Sequence, residues 1–136
     1  DNYTVKDGET PEILAHKLYD DPQLHWVILL INNITDRYHQ WPKPYIQHLS
    51  YLNNKYPTAV KLNALHHYEI SQTSGDTTVK INIGKDNTDF PSATAITNVE
   101  FEDDLQEKQR LIRLLDPSYL SQFVEEFEQL MEESAI

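Results

Sequence analysis

Three times in this chain a residue able to cap a helix stands directly before a proline: Thr10-Pro11, Asp21-Pro22 and Asp116-Pro117. A cap oxygen accepts one of the unpaired N–H groups of the first helical turn. Proline at the next position has no N–H to leave unpaired and a φ already suited to the helix. Each pair therefore predicts a helix start. From Pro11, the residues Ile13, Leu14, Ala15, Leu18 and Tyr19 recur at helical spacing, and Glu12 complements the helix dipole. From Pro22, a second helix carries Leu24, Val27, Ile28 and Ile31 on one stripe. Trp26, Leu29 and Leu30 widen it around most of the cylinder before Asn32-Asn33 ends it. A helix this apolar must be covered on more than one side. From Pro117, Leu120, Phe123, Val124, Phe127, Leu130 and Met131 make one stripe, while Glu125, Glu126, Glu128, Glu132 and Glu133 take the other faces.

Between these helices the pattern changes. Tyr3 and Val5 alternate with Thr4 and Lys6, a half-buried strand that Asp7-Gly8 closes with turn chemistry. The aromatic- and proline-rich stretch from Asp36 to Pro57 predicts a loop and then a third helix, with Tyr45, Ile46, Leu49 and Leu52 at helical spacing and Pro57 as its stop. A β-hairpin is expected from Leu65 to Ile83 around Ser74-Gly75-Asp76, followed by a surface loop from Lys85 to Thr97. Leu111, Ile112, Leu114 and Leu115 fit either a short strand or the last turn of a helix from Glu102; periodicity does not choose. The fold class is α+β. The expected division is residues 1–57, a strand-helix-helix unit with an added aromatic helix, and residues 58–136, the hairpin with a C-terminal helical docking region.

A hydrophobic content of 39% is lean for a self-sufficient core and points to help from partners. The net charge of -11 repels phosphate backbones and anionic headgroups, so neither nucleic acid nor a membrane surface is an expected partner. The longest apolar run, Trp26 to Ile31, has six residues, against about 20 for a spanning helix. With no cysteine, disulfides and thiolate metal sites are excluded. The first residue is Asp1, not Met, which reads as a portion of something longer.

Catalytic chemistry finds little support. None of the six histidines falls in a zinc-type spacing, and His66 and His67, adjacent on a strand, are expected on opposite faces. The acidic pairs Asp20-Asp21 and Asp103-Asp104 read as helix-start residues rather than an acid and base. Three glycines, with no Gly-x-Gly-x-x-Gly and no P-loop, give nucleotides no cradle. The expectation is a protein that is not an enzyme and holds no cofactor or metal. Aromatic side chains are the other carriers of function, as interface anchors or as platforms for sugar rings. Trp26, inside the apolar helix, reads first as core. Trp41, beside prolines, fits core and interface equally. The C-terminal stripe fits both ordinary core and a docking element.

The stretch "YTVKDGETPEILAHKLYDDPQLHWVILLINNI" resembles a LysM module, a family that binds N-acetylglucosamine polymers. Lys6, Gly8, Thr10, Ala15, Tyr19, Ile28, Asn32 and Asn33 carry the likeness. That resemblance implies a peptidoglycan- or chitin-binding cleft walled by Asp7, Gly8, Glu9 and Thr10 on one side and Asn32, Asn33 and Ile34 on the other. After Ile34, "TDRYHQWPKPYIQHL" departs from the closing strand of a LysM. A second resemblance accommodates it. "TPEILAHKLYDDPQLHWVILLINN", "DRYHQW" and the tail "NVEFEDDLQEKQRLIRLLDPSYLSQFVEEFEQLM" together resemble the LysM-bearing baseplate wedge subunits of T4-type contractile-tail bacteriophages. That family implies a noncatalytic virion protein, assembled in the host cytoplasm, present in several copies per tail baseplate. It would join neighbouring wedge proteins and a sheath-initiator-type subunit and help lock the ring around the central hub. Its members carry extra residues before the first strand. On this reading Trp26, Tyr38, Trp41, Tyr45, Tyr119, Phe123 and Phe127 are the candidate partner-binding residues.

Overall fold

In the computed structural model, residues 1–135 are described. Along the chain run β1 (Asn2–Thr4), α1 (Pro11–Tyr19), α2 (His25–Ile31), α3 (Arg37–Gln40), α4 (Tyr45–Lys55), α5 (Ala59–Leu62), β2 (Leu65–Ser74), β3 (Thr77–Gly84), β4 (Thr94–Thr97), α6 (Asn98–Gln109), β5 (Leu111–Arg113) and α7 (Leu120–Ser134). The class is α+β, as the sequence indicates. Two units form: residues 1–45 with 107–136, and residues 46–106. Among the described residues no helix is long and apolar enough to cross a membrane.

All three cap-proline pairs act as caps, with one difference in outcome. Thr10 Oγ1 accepts from Ile13 N–H and opens α1 directly. Asp21 and Asp116 instead accept from the N–H two residues on, Gln23 and Ser118. Each of these opens a single 3-10 turn, Pro22–Leu24 and Pro117–Tyr119, before α2 and α7 begin. A side chain that bonds two residues ahead tightens the turn, and the helix proper starts three residues later than the proline suggests. Asp20 caps no helix start: it ends α1 in the left-handed region at φ 57, its N–H donating to His16. Asp103 and Asp104 stand within α6 rather than at its start.

The core of the first unit is Val5, Leu14, Ala15, Ile28, Trp41 and Ile112, ringed by Tyr3, Tyr19, Leu24, Leu29, Ile34 and Leu114. Burial of each large member contributes about 1.5–3 kcal/mol. The chain's beginning and its later part are joined by the antiparallel pair β1–β5, with Tyr3 opposite Ile112. This settles the ambiguity at Leu111: α6 ends at Gln109 and a strand comes next. Asn32 fastens the exit of α2 to the same strand. Its Nδ2 donates to Arg113 O and Ile28 O at 2.8 Å, and its Oδ1 accepts from Arg113 N–H at 2.7 Å. Asn33, at φ 54, makes the left-handed turn that Asn tolerates.

The second unit holds a three-stranded antiparallel sheet in the order β3-β2-β4, so Thr94–Thr97, expected in a surface loop, is a strand pairing β2 from Leu65 to Glu69. A short, half-polar edge strand leaves too little alternation to be seen in the sequence. The hairpin stands as expected, with Ser74 opposite Thr77 across Gly75-Asp76. A register shift between Leu65 and His67 also overturns the expectation for the histidines. His66 and His67 do not diverge: their Nδ1 atoms approach to 2.7 Å, and His67 Nε2 meets Glu69 at 2.7 Å. His66 lies flat on Phe101, ring centroids 3.7 Å apart. Burial lowers the pKa of the His66 imidazole, and the neighbouring His67 lowers it further. Among the described residues no group of three or more His, Cys, Asp or Glu is arranged to hold a metal. On α4, His48 and Leu52 are buried, whereas Tyr45, Ile46 and Leu49 face solvent, so most of the expected apolar stripe is not core.

Candidate interaction surface

The turn from Asp7 to Thr10 is built by internal hydrogen bonds. Gly8 takes φ 81, a conformation that favours glycine, and Glu9 N–H closes back on Lys6 O at 3.1 Å. The Glu9 side chain is buried, and its Oε1 accepts from Tyr3 O–H and from Lys6 N–H, both at 2.7 Å. Oε2 takes Lys17 Nζ at 2.9 Å. Burial pushes the Glu9 carboxyl up, yet the bonds from Tyr3, Lys6 and Lys17 outweigh it and hold the pKa below its ordinary value. Burial, with Glu9's hydrogen bond and charge, raises the Tyr3 phenol to about 12. Asp7 Oδ1 accepts from Tyr45 N–H at 2.8 Å, and Thr10 is committed to capping. On the other expected wall, Asn32 is bonded as described, Asn33 forms the turn, and Ile34 packs against the core. These polar side chains are largely engaged within the unit, which leaves them few free donors or acceptors for a sugar.

Beside this turn, Arg37 forks onto Glu12 with two 2.6 Å bonds, Nη1 to Oε2 and Nη2 to Oε1. The Arg37 bonds depress the Glu12 pKa from 4.5 to about 2. A depressed carboxylate contributes stability above its unfolded value and loses it as pH falls toward the folded one. Both side chains are about a third exposed, so solvent screening reduces the contribution to about 1 kcal/mol. The Arg37→Ala variant is expected to be less stable than wild type near neutrality, the gap closing as pH falls from about 4.5 toward about 2. Denaturant midpoints across that range check it; a gap independent of pH would contradict it.

The candidate partner-binding aromatics separate into three kinds. Trp41 does not face outward: it is 7% exposed, and its Nε1–H donates to Glu9 O at 2.8 Å. Tyr38, Tyr45 and Tyr119 do, at 80%, 59% and 61%. Trp26, Phe123 and Phe127 are half-buried against one another, with Trp26 centroid distances of 6.3 Å to Phe123 and 4.8 Å to Phe127. Tilted rings at such separations add about 0.5–1.5 kcal/mol to area burial. Trp26 thus covers the first two turns of the α7 stripe. Beyond it the same stripe runs uncovered, Leu130 at 62% and Met131 at 51% exposure, and no residue of α7 is buried. Leu130 and Met131 stand on the expected stripe but were not among the candidates, because periodicity defines a face without saying which part of it is covered.

An open hollow of about 340 Å³ lies over the β1–β5 pair, lined by Asn2, Tyr3, Thr4, Leu111, Ile112 and Arg113. None of the candidate residues lines it.

Residues 1–75 match the model of a family described as Base plate wedge protein 53. Over 39 residues the chain is 44% identical to Baseplate wedge protein gp53 of Enterobacteria phage T4, a stretch covering 29% of this chain and 20% of that protein. The alignment thus spans about a fifth of that relative's length. The family match takes in α1, α2 and the turn between β1 and α1, and ends at the tip of the hairpin; α6, β5 and α7 lie beyond it.

Proposed function

We propose a role for this chain from one premise: it belongs to the base plate wedge protein 53 family. The chain is a noncatalytic structural component of a contractile-tail baseplate. It joins neighbouring wedge proteins, with a sheath-initiator-type subunit among its contacts, and helps lock the ring around the hub. Its place is the virion tail, in several copies per baseplate after assembly in the host cytoplasm. The match over residues 1–75 is the observation that carries this reading. Two features of the surface support it. Tyr38, Tyr45 and Tyr119 stand mostly exposed, and Tyr is enriched at protein interfaces. The net charge of -11 favours basic partner surfaces over self-association. Glycan binding is not carried further, since the polar groups it would need are engaged in the fold.

Reconstitution tests the role. With the other purified wedge subunits, the chain is expected to co-sediment in a fixed ratio, and wedges to join into rings only in its presence. Rings that close equally well without it would sink the joining role.

A further inference from the structure

The charge around the open part of the α7 stripe is one-sided. From Leu120 to Ser134 the helix carries Glu125, Glu126, Glu128, Glu132 and Glu133 and no Lys or Arg. Glu132 and Glu133 fall in its last turn, at the negative end of the helix dipole, where carboxylates are unfavourable by about 0.3–1 kcal/mol each. No basic residue of that turn offsets them. A sequence that breaks a local rule beside an exposed apolar pair is consistent with compensation from outside the helix.

We propose that the C-terminal half of α7 docks, through Leu130 and Met131 with Glu132 and Glu133 at their border, into an apolar groove rimmed by Lys and Arg on a different protein. That this protein is another baseplate component rests on the role proposed above. The complementarity selects the occupant. A second copy laid along the same face would oppose one run of glutamates to another, and like charges a few ångströms apart disfavour that pairing. A basic rim neutralises the glutamates and relieves the unfavourable helix end. The apolar pair supplies the area removed from water. Trp26, its ring packed at a tilt against Phe127, holds the first turns in place, so the helix meets its partner already ordered over that part.

Three forms of the full chain test this: wild type, the double variant L130A with M131A, and the double variant E132K with E133K. Alanine keeps helix propensity, and the changed positions are exposed, so circular dichroism should show all three folded. One arm measures entry into complexes with purified wedge subunits. The other titrates a synthetic helical peptide, leucines on one face bordered by lysines, and reads the change in tryptophan emission, to which buried Trp41 adds a constant background and half-buried Trp26, beside the α7 stripe, the variable part. Wild type is expected to bind in both arms, and each variant to bind about tenfold more weakly or worse. The loss in E132K with E133K should shrink at high salt. A peptide that binds all three forms alike, or none, overturns the docking surface, as does equal entry of all three into wedge complexes. Failure of wild type to enter wedge complexes while the peptide discriminates overturns the baseplate role and leaves the surface standing. A concentration-dependent dimer of wild type that L130A with M131A abolishes makes a second copy the occupant and overturns the basic-partner proposal.

Discussion

Replacing Trp41 by alanine is expected to destabilise the first unit by about 3–5 kcal/mol. The side chain is 7% exposed within the cluster of Val5, Leu14, Ala15, Ile28 and Ile112. Alanine leaves a cavity that the surrounding elements close only in part. It also removes the indole N–H that Glu9 O accepts, a further loss of about 0.5–1.5 kcal/mol. Against a total stability of about 5–15 kcal/mol, this takes a large share and lowers the melting temperature by roughly 10 °C or more. Tyr38→Ala, at an 80% exposed position, is expected to change stability by about 0.5 kcal/mol or less. Thermal unfolding of the two variants side by side checks the contrast. If the Trp41 variant melted with wild type, the core assignment would be wrong, and loss of assembly in it could then be read as loss of contact. With the assignment right, such a loss reports misfolding.

The second large effect is expected at Glu9. Its carboxylate holds three donors, Tyr3 O–H, Lys6 N–H and Lys17 Nζ, at 2.7, 2.7 and 2.9 Å. Glu9→Ala strands the first two near the core, while Lys17, more than half exposed, returns to water. The sum is about 3 kcal/mol. Glu9→Gln keeps one acceptor oxygen and is expected to cost about half as much. Because the Glu9 pKa is depressed in the folded chain, the stability it contributes is present above the ordinary carboxylate range and is lost as pH falls through the depressed value. Chemical denaturation of wild type, Glu9→Gln and Glu9→Ala at neutral pH would show that order. Equal stability of all three would remove Glu9 from the account.

How much of this was legible in the residues differs from element to element. Local signals survived best: Thr10, Asp21 and Asp116 all accept cap bonds, because a cap and the turn it serves lie within a few residues. Whether the cap starts an α-helix or a 3-10 turn depended on which N–H the side chain reached, a choice of one residue that the spacing does not carry. Non-local pairings were harder to see. β4 has four residues and owes its strand to β2, and the bulge at His66 that joins the two imidazoles has no signature in a His-His dipeptide. The stripes were found, but their coverage was not. Ile46 and Leu49 stand on the helical stripe expected in α4 and are exposed, as is Tyr45, which was also a partner-binding candidate; Trp41 read equally as anchor and core and is core, and α7 is covered only as far as Trp26 reaches. Helical periodicity reports an apolar face; the tertiary neighbour decides what that face meets.

On the role proposed above, family membership and the exposed apolar surface agree: a small acidic baseplate component whose first unit is held by its own core would meet a partner through the open part of α7. Native mass spectrometry of the intact chain mixed with purified wedge subunits tests this most directly. The account predicts a complex of fixed integer stoichiometry in which little free chain remains at equal concentrations. A chain that stays a free monomer beside fully assembled wedges would contradict it.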